Sequence, residues 1–270
     1  MCPTRISLSL RFDPGVPLYY WAMRSIPDVH LLRRALPSLA ASMALLSISC
    51  ASGPYGEAVE PPELGSLEWT DDFEDGLQHW AIELEQPGVV TTSKGGLEID
   101  VPAGATLWFR RELVGPVAIT FEATAIAADG PNDRVSDINT FWMARNRDGT
   151  APFMQQRRGA FAEYNDLLTY YVGLGGNWNT TTRFRRYIGH PESRPLLPEH
   201  DLSSSDALLT ANHKQTIMLV ANGTRIEYWR DGTRLLHYDD PAPYTRGWFA
   251  IRTTRSHLRI ERLRIHRLER

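Results

Sequence analysis

The densest run of polar and aromatic residues with chemical potential lies between Tyr164-Asn165 and Tyr187, and strand parity sorts it. Successive side chains of a strand point to opposite faces. In Leu167–Leu174 the residues Leu168, Tyr170, Val172 and Leu174 therefore share an apolar face, while Thr169, Tyr171 and Gly173 share the other. In Thr180–Ile188, Phe184 marks the core side and leaves Thr181, Arg183, Arg185 and Tyr187 together opposite it. The intervening Gly175-Gly176-Asn177-Trp178-Asn179 closes a hairpin, so Tyr171 and an arginine ladder are expected on one surface, turned away from the core. Two guanidinium groups on one strand face repel. Either Asp and Glu on neighbouring strands answer them, or a ligand carboxylate or sulfate does.

The second answer describes a groove for an acidic sugar, in which arginine takes a carboxylate bidentately, asparagine pairs with hydroxyls and a tryptophan or tyrosine ring stacks on the sugar. Asn139, Trp142, Tyr164, Asn177, Asn179, Arg185 and Tyr187 are the candidate substrate-binding residues, although parity does not settle Trp142, for which a place in the core is the plainer reading. If the groove is catalytic, β-elimination suits it better than hydrolysis. A lyase acting on a uronic acid must neutralise the sugar carboxylate so that the adjacent C–H becomes acidic, and it needs a base and an acid. Tyr171, Arg183, and a histidine from His200 or His257 are the candidate catalytic residues; each histidine also has a plain reading as a solvated loop residue. Gly173-x-Gly175-Gly176 lacks the Lys-Ser/Thr and the helix of a phosphate loop and reads as a hairpin turn. No His or Cys pair has metal-ligand spacing, so no cofactor is expected. Asp71, Asp72 and Asp75 could join a structural calcium site, with solvated surface acids as the plainer reading.

The elements that must position these residues are strands. Short apolar or alternating runs rich in β-branched and aromatic residues recur between Gly, Pro, Asn and Asp clusters: Leu97–Val101, Thr106–Arg111, Val117–Thr124, Asn139–Arg145, Leu167–Leu174, Thr180–Ile188, Gln215–Ala221, Arg225–Arg230, Arg234–Tyr238, Trp248–Thr253 and Leu258–Leu268. Two packed antiparallel sheets, a β-sandwich or jelly roll, bury the inner faces of so many strands. Asn222-Gly223 and Asp231-Gly232 supply the φ > 0 residues of tight hairpin turns, which makes Gln215–Tyr238 a three-strand meander. The closing run alternates Leu258, Ile260 and then Leu263, Ile265, so its phase slips near Arg262, and a bulge is expected there.

Thr70-Asp71-Asp72-Phe73-Glu74-Asp75-Gly76-Leu77-Gln78-His79-Trp80, Gly96-Leu97-Glu98-Ile99-Asp100, Arg230-Asp231-Gly232, Asp240-Pro241-Ala242-Pro243-Tyr244 and Gly247-Trp248-Phe249 resemble the opening and closing strands of concanavalin A-like lectin/glucanase sandwiches. Arg134-Val135-Ser136-Asp137 with Phe141-Trp142-Met143-Ala144, and Tyr170-Tyr171-Val172-Gly173 through Asn179–Tyr187, are similar to an exported bacterial family of that superfamily that accompanies polysaccharide degradation. The resemblance implies the fold and a carbohydrate context over Leu67–Arg270, but no reaction. Retaining glucanases of the superfamily carry Glu-x-Asp-x-x-Glu on one strand. Glu98-Ile99-Asp100-Val101-Pro102-Ala103 begins that way and fails, with Ala103 in the last position and Pro102 expected to break the strand.

Ahead of this body, Arg33-Arg34 precede the apolar run Ala35–Ile48, which has the length of a signal-peptide core and is too short for a bilayer core of about 30 Å. Residues 1–49 are expected to be an export signal, for which Met23 makes the better start. Leu45-Leu46-Ser47-Ile48-Ser49-Cys50 resembles a lipoprotein box that would leave Cys50 lipidated, so the protein is expected in the bacterial envelope, with membrane contact only through that lipid. Ordinary secretion is the alternative. Residues 50–66, rich in Pro and Gly, read as a tether, and 67–270 as one sandwich domain.

The whole chain of 270 residues carries 29 Lys plus Arg against 32 Asp plus Glu, a net charge of −3, and only Lys94 and Lys214 of its cations are lysine. Loss of residues 1–49 removes Arg5, Arg11, Arg24, Arg33 and Arg34 against Asp13 and Asp28, leaving a more acidic body. Nucleic acid is excluded as a partner by charge. The expected function is action on an acidic polysaccharide or oligosaccharide, foremost as a polysaccharide lyase. A non-catalytic lectin-like module and a glycoside hydrolase with carboxylates from separate strands are the alternatives.

Overall fold

The computed structural model describes residues 59–269. The expected export signal, Cys50 and the first part of the tether lie outside the described residues. The strands are β1 (Leu67–Asp71), β2 (Trp80–Leu84), β3 (Val89–Ser93), β4 (Gly96–Phe109), β5 (Leu113–Val114), β6 (Val117–Ala125), β7 (Ile138–Arg145), β8 (Leu168–Gly175), β9 (Thr181–Ile188), β10 (Asp201–Leu202), β11 (Lys214–Asn222), β12 (Arg225–Arg230), β13 (Thr233–Asp239) and β14 (Arg246–Arg267). All pair antiparallel. The protein is an all-β jelly roll, and its two layers are parts of a single hydrogen-bonded sheet rather than two separate sheets. One layer runs β10-β9-β8-β7-β14-β4-β2, and the other runs β14-β6-β11-β12-β13, with β1 and the first half of β4, carrying β3, on its far side.

Strand β14 joins the layers. Its first half lies between β7 and β4, and its second half lies between β6 on one side and β4, then β1, on the other. The sequence divides this element into two runs, and also divides β4. Both are continuous because bulges carry the ladder through the breaks in apolar phase. One bulge lies at Arg262, with φ +52° and a register shift between Glu261 and Arg264, where the alternation slips. The other lies at Arg255, with φ +46°. Thr254 pairs with Gly104 and Ser256 with Val101, so Pro102 and Ala103 fall outside the ladder. Pro102 has no N–H to donate and does not break the strand, because it stands where no partner requires one. The meander β11-β12-β13 forms as its turns predict.

Between the layers, Trp142, Tyr170, Val172 and Phe184 join Leu219, Ile226, Tyr228 and Leu236 in one core. Trp142 is 0% exposed, with its indole N–H reaching the carbonyl of Val220 at 3.4 Å. It is a core residue and not a sugar platform. Emptying this position removes a large aromatic from a close-packed site, so Trp142→Ala should lower stability by about 3–5 kcal/mol. Urea unfolding with an unchanged slope would show this, and a midpoint equal to that of the parent would contradict it.

Candidate functional site

Register places one row of side chains on the outer face of the β10-to-β2 layer. Glu83 pairs with Thr106, Thr106 with Arg252, Arg252 with Asn139, Asn139 with Gly173, Gly173 with Arg183, and Arg183 with Asp201. The next row runs Ala81, Trp108, Ala250, Phe141, Tyr171, Arg185. The parity expected of the β8-β9 hairpin holds, with Arg185 directly opposite Tyr171. Over part of this face the segment 146–167 packs Phe153, Phe161, Tyr164 and Leu167 against Trp108, Phe141, Tyr171 and Tyr187. The rest is open as a cleft of about 560 Å³, lined among others by Asn139, Tyr171, Gly173, Asn177, Trp178, Arg183 and Arg185.

Five arginines line the cleft, Arg134, Arg183, Arg185, Arg194 and Arg255, against two carboxylates, Glu85 and Asp137. They are not equivalent. Arg183 holds both oxygens of Asp201, at 2.7 and 3.0 Å, and these bonds keep the Asp201 carboxyl below the usual carboxylate range. Arg134 reaches Asp137 at 2.7 Å. Arg185 donates only to the carbonyl oxygen of Arg194. Among the described residues it has no carboxylate partner, nor do Arg194 and Arg255. Beside the cleft on the same outer face, Arg252 is fully buried beneath the segment 146–167, donates to Thr106 Oγ1 and the Gly159 carbonyl, at 2.8 and 2.9 Å, and is stacked by Phe161 and Tyr164. Burial lowers its affinity for the proton. No carboxylate pairs with it among the described residues, and its charge acts on Tyr171 at the cleft.

Tyr171 is 6% exposed and wedged among Phe141, Phe161 and Tyr187. Burial first, then Tyr187 and Asp137, push its phenol well above the ordinary value, outweighing Arg252 and Arg185. The hydroxyl is thus a hydrogen-bond donor at neutral pH. Gly173 leaves it room, because a Cβ there would stand 2.7 Å from the Tyr171 hydroxyl oxygen and 3.3 Å from Asn139 Oδ1. That buried Oδ1 has no partner. At one end, Trp178 is 66% exposed on a left-handed turn, with φ of 51° at Asn177, 63° at Trp178 and 58° at Asn179. Arg134 lies 4.3 Å from its ring centroid. Asp137 and Arg255 also have φ > 0, so strained backbone gathers at this rim, as it does at functional sites.

Several expected site residues lie elsewhere. Tyr187 is on the expected face but is covered by the segment 146–167 and is fully buried. Tyr164 is buried too and donates to Glu83 at 2.7 Å, beside Trp108 Nε1 at 3.0 Å, which fastens that segment down. Burial raises the Glu83 carboxyl despite those bonds. Asn179 clamps Leu209 through both its amide groups, at 2.8 and 2.9 Å. His200 is 4% exposed, packs its edge on Phe184 behind β9 and donates to the His237 carbonyl, so it does not cover the cleft. His257 is also outside the cleft. It bridges Asp133 and Glu98, 2.8 Å each, and with Ser256 pins the loop that brings Arg134 and Asp137 to the rim. Glu98 also takes Arg259, at 3.1 Å. Asp71 accepts from Phe73 N and Trp80 Nε1, and Asp72 from Arg264. Among the described residues no three His, Cys, Asp or Glu gather as a metal-ion site. Parity had no access to the loop residues Arg134, Asp137 and Arg194, nor to Arg255 on the β14 bulge. The only sequence signal for Arg255 was the break between two apolar runs.

Residues 99–263 match the family model described as Domain of unknown function (DUF6250). The chain belongs to this family. No curated protein matches it. The DUF6250 chain is similar in structure to a protein of unknown function with galectin-like fold from Bacillus subtilis, with TM-score 0.61 and 15% identity over 77% of this chain and 99% of the other. It is also similar to the VIP36 exoplasmic/lumenal domain in its Ca2+/Man3GlcNAc-bound form, with TM-score 0.50 and 10% identity over 76% of this chain and 91% of the other. A LamA variant from Z. galactanivorans in complex with laminaritriose and laminaritetraose gives TM-score 0.50 and 12% identity over 76% of this chain and all of the other. These likenesses show the fold.

Two outcomes test the site in this DUF6250 chain. Gly173→Ala should displace the Tyr171 ring from its seat against Phe141 and Phe161 while thermal unfolding shows the domain intact; Tyr171 ring NMR signals unchanged from the parent would contradict the packing. Both ring nitrogens of His257 meet carboxylates. Burial pulls its proton affinity down, but the bonds to Glu98 and Asp133 outweigh it and the value is raised above 6.5. Its stabilisation is therefore complete below the ordinary value and is lost as pH climbs through the raised one. Thermal unfolding followed against pH should lose that decline in His257→Gln, and an identical pH profile would refute the bridge.

Proposed function

We propose that the cleft binds an acidic saccharide, with a uronic acid carboxylate seated between the Arg185 guanidinium and the Tyr171 hydroxyl. The observation that carries this reading is the contrast between adjacent ladder arginines. Arg183 is answered by Asp201, whereas Arg185, facing a protonated phenol, is answered by a backbone carbonyl alone. A carboxylate would take two charge-assisted bonds from Arg185 and one from Tyr171, Asn139 and Asn177 stand nearby for hydroxyls, and the exposed ring of Trp178 offers a face for the sugar. The saccharides bound in the two ligand-bearing structures of like fold support a carbohydrate ligand. Export on residues 1–49, with lipid on Cys50, is part of the same proposal, since it would present the cleft to extracellular glycans.

The direct opposition of Tyr171 and Arg185 also favours a lyase. Arg185 would neutralise the carboxylate, a base would take the C-5 proton, the C-4–O bond would break as the C-4=C-5 double bond forms, and Tyr171 would return a proton to the leaving oxygen. Held protonated, Tyr171 suits the acid step. To serve as the base as well it must first ionise, so turnover should climb with pH through the alkaline range. A hydrolase would draw on Glu85 and Asp137, but Glu85 accepts the Gly104 N–H at 2.9 Å and Asp137 is engaged by Arg134.

Calorimetry with a panel of uronic acid oligosaccharides tests the binding. Arg185→Gln should weaken it by about 1.5–3 kcal/mol, the worth of a charged hydrogen bond, and no binding by any member would overturn the reading. Ultraviolet absorbance of unsaturated products separates the chemistries. A rise that Tyr171→Phe abolishes marks a lyase, and binding with neither a rise nor any shortening of the glycan marks a lectin-like module.

A further inference from the structure

We infer that the cleft has two separate anion stations and therefore takes an oligosaccharide with acidic groups on at least two of its residues. This rests on the acidic-saccharide reading of the same cleft and goes beyond it by specifying size and charge pattern. Of the five cleft arginines, Arg183 and Arg134 are satisfied within the protein, by Asp201 and Asp137. The three that remain divide between two places. Arg185 and Arg194 form one, tied through the Arg194 carbonyl, with the Arg194 guanidinium over Phe161 at 5.5 Å. Arg255 forms the other, exposed on the β14 bulge with its guanidinium 6.0 Å from the centroid of Trp178.

Register sets their separation. Arg185 lies in the row of Tyr171, Phe141 and Ala250, whereas Arg255 follows Thr254, four residues further along β14. Strands β9 and β14 are separated by β8 and β7, which makes three strand spacings. The stations are thus offset by about 13 Å along the strands at the backbone, more than one sugar ring bridges, whereas across the strands the Arg255 guanidinium reaches back toward Trp178 in the turn between β8 and β9. Between them lie Asn139, Gly173 and the internally neutralised Arg183, a stretch suited to uncharged hydroxyls and not to a third anion. A bulge is the device that makes this possible. The extra residue lets consecutive positions Thr254 and Arg255 both line the cleft, where a regular strand would send one of them to the other face. A ligand that fills one station is tethered for the second, so a chain long enough to reach both gains affinity without any new kind of contact.

Titration calorimetry with monomeric uronates and with oligouronates of increasing length, intact and carboxyl-reduced, tests the arrangement on the parent protein. Affinity is expected to step up tenfold or more once the chain spans both stations, and carboxyl reduction should abolish the step. Arg255→Gln should flatten the length dependence, with thermal unfolding confirming that the variant folds. Affinity independent of length, or a step that survives carboxyl reduction, would overturn the two-station arrangement while leaving the acidic-saccharide reading standing. Failure of every uronate to bind would overturn both.

Discussion

The hydrogen-bond ladder of β14 is the constraint on which the rest of the molecule depends. Its 22 residues pair with β1, β4, β5, β6 and β7, so one element sets the register of both layers. A strand serving two layers must turn without losing its inward apolar face, and the bulges at Arg255 and Arg262 allow that. Leu258, Ile260, Leu263 and Ile265 all stay buried although their spacing slips. The bulge at Arg255 does more than keep the core dry. It interrupts the pairing opposite Pro102 and opens one end of the cleft, so a feature of chain geometry and a feature of the candidate site have the same cause.

Electrostatics in this protein are local. A chain with net charge −3 has no long-range attraction for polyanions. Yet it concentrates five arginines around one cleft and sets a buried guanidinium, Arg252, beside it. Which arginines are available follows from neighbouring strands. The two residues of β10 exist in the sheet only through Arg183 and Thr182, and Asp201 at their start removes Arg183 from play. One position further along the same face no such edge residue exists, and Arg185 stays open.

The sequence made legible whatever depends on alternation. Parity placed Tyr171, Arg183 and Arg185 on one face, and apolar phase located the meander and the slip at Arg262. It overreached where a face is right but its cover is supplied from afar: Tyr187 is on the outer face and still buried, because residues 146–167 lie over it. It did not reach the rim arginines, since no period links Arg134, Arg194 or Arg255 to the hairpin they approach. It misplaced His200, whose loop residence suggested exposure, because the ring finds an apolar seat against Phe184 and Tyr238. Short or edge strands such as β3, β5 and β10 carry too little pattern to be read at all.

The left-handed turn at Asn177-Trp178-Asn179 has one more consequence. Holding an indole on positive φ is unfavourable for the free chain, and the surrounding pairing holds it there before any ligand arrives. For the saccharide proposed above, such a rim would already be in place, so little ordering entropy would remain to be lost on association. Differences among related ligands should then appear in how long they stay rather than in how fast they arrive. On the proposed reading of the cleft, a left-handed turn in the backbone thus acts on residence time.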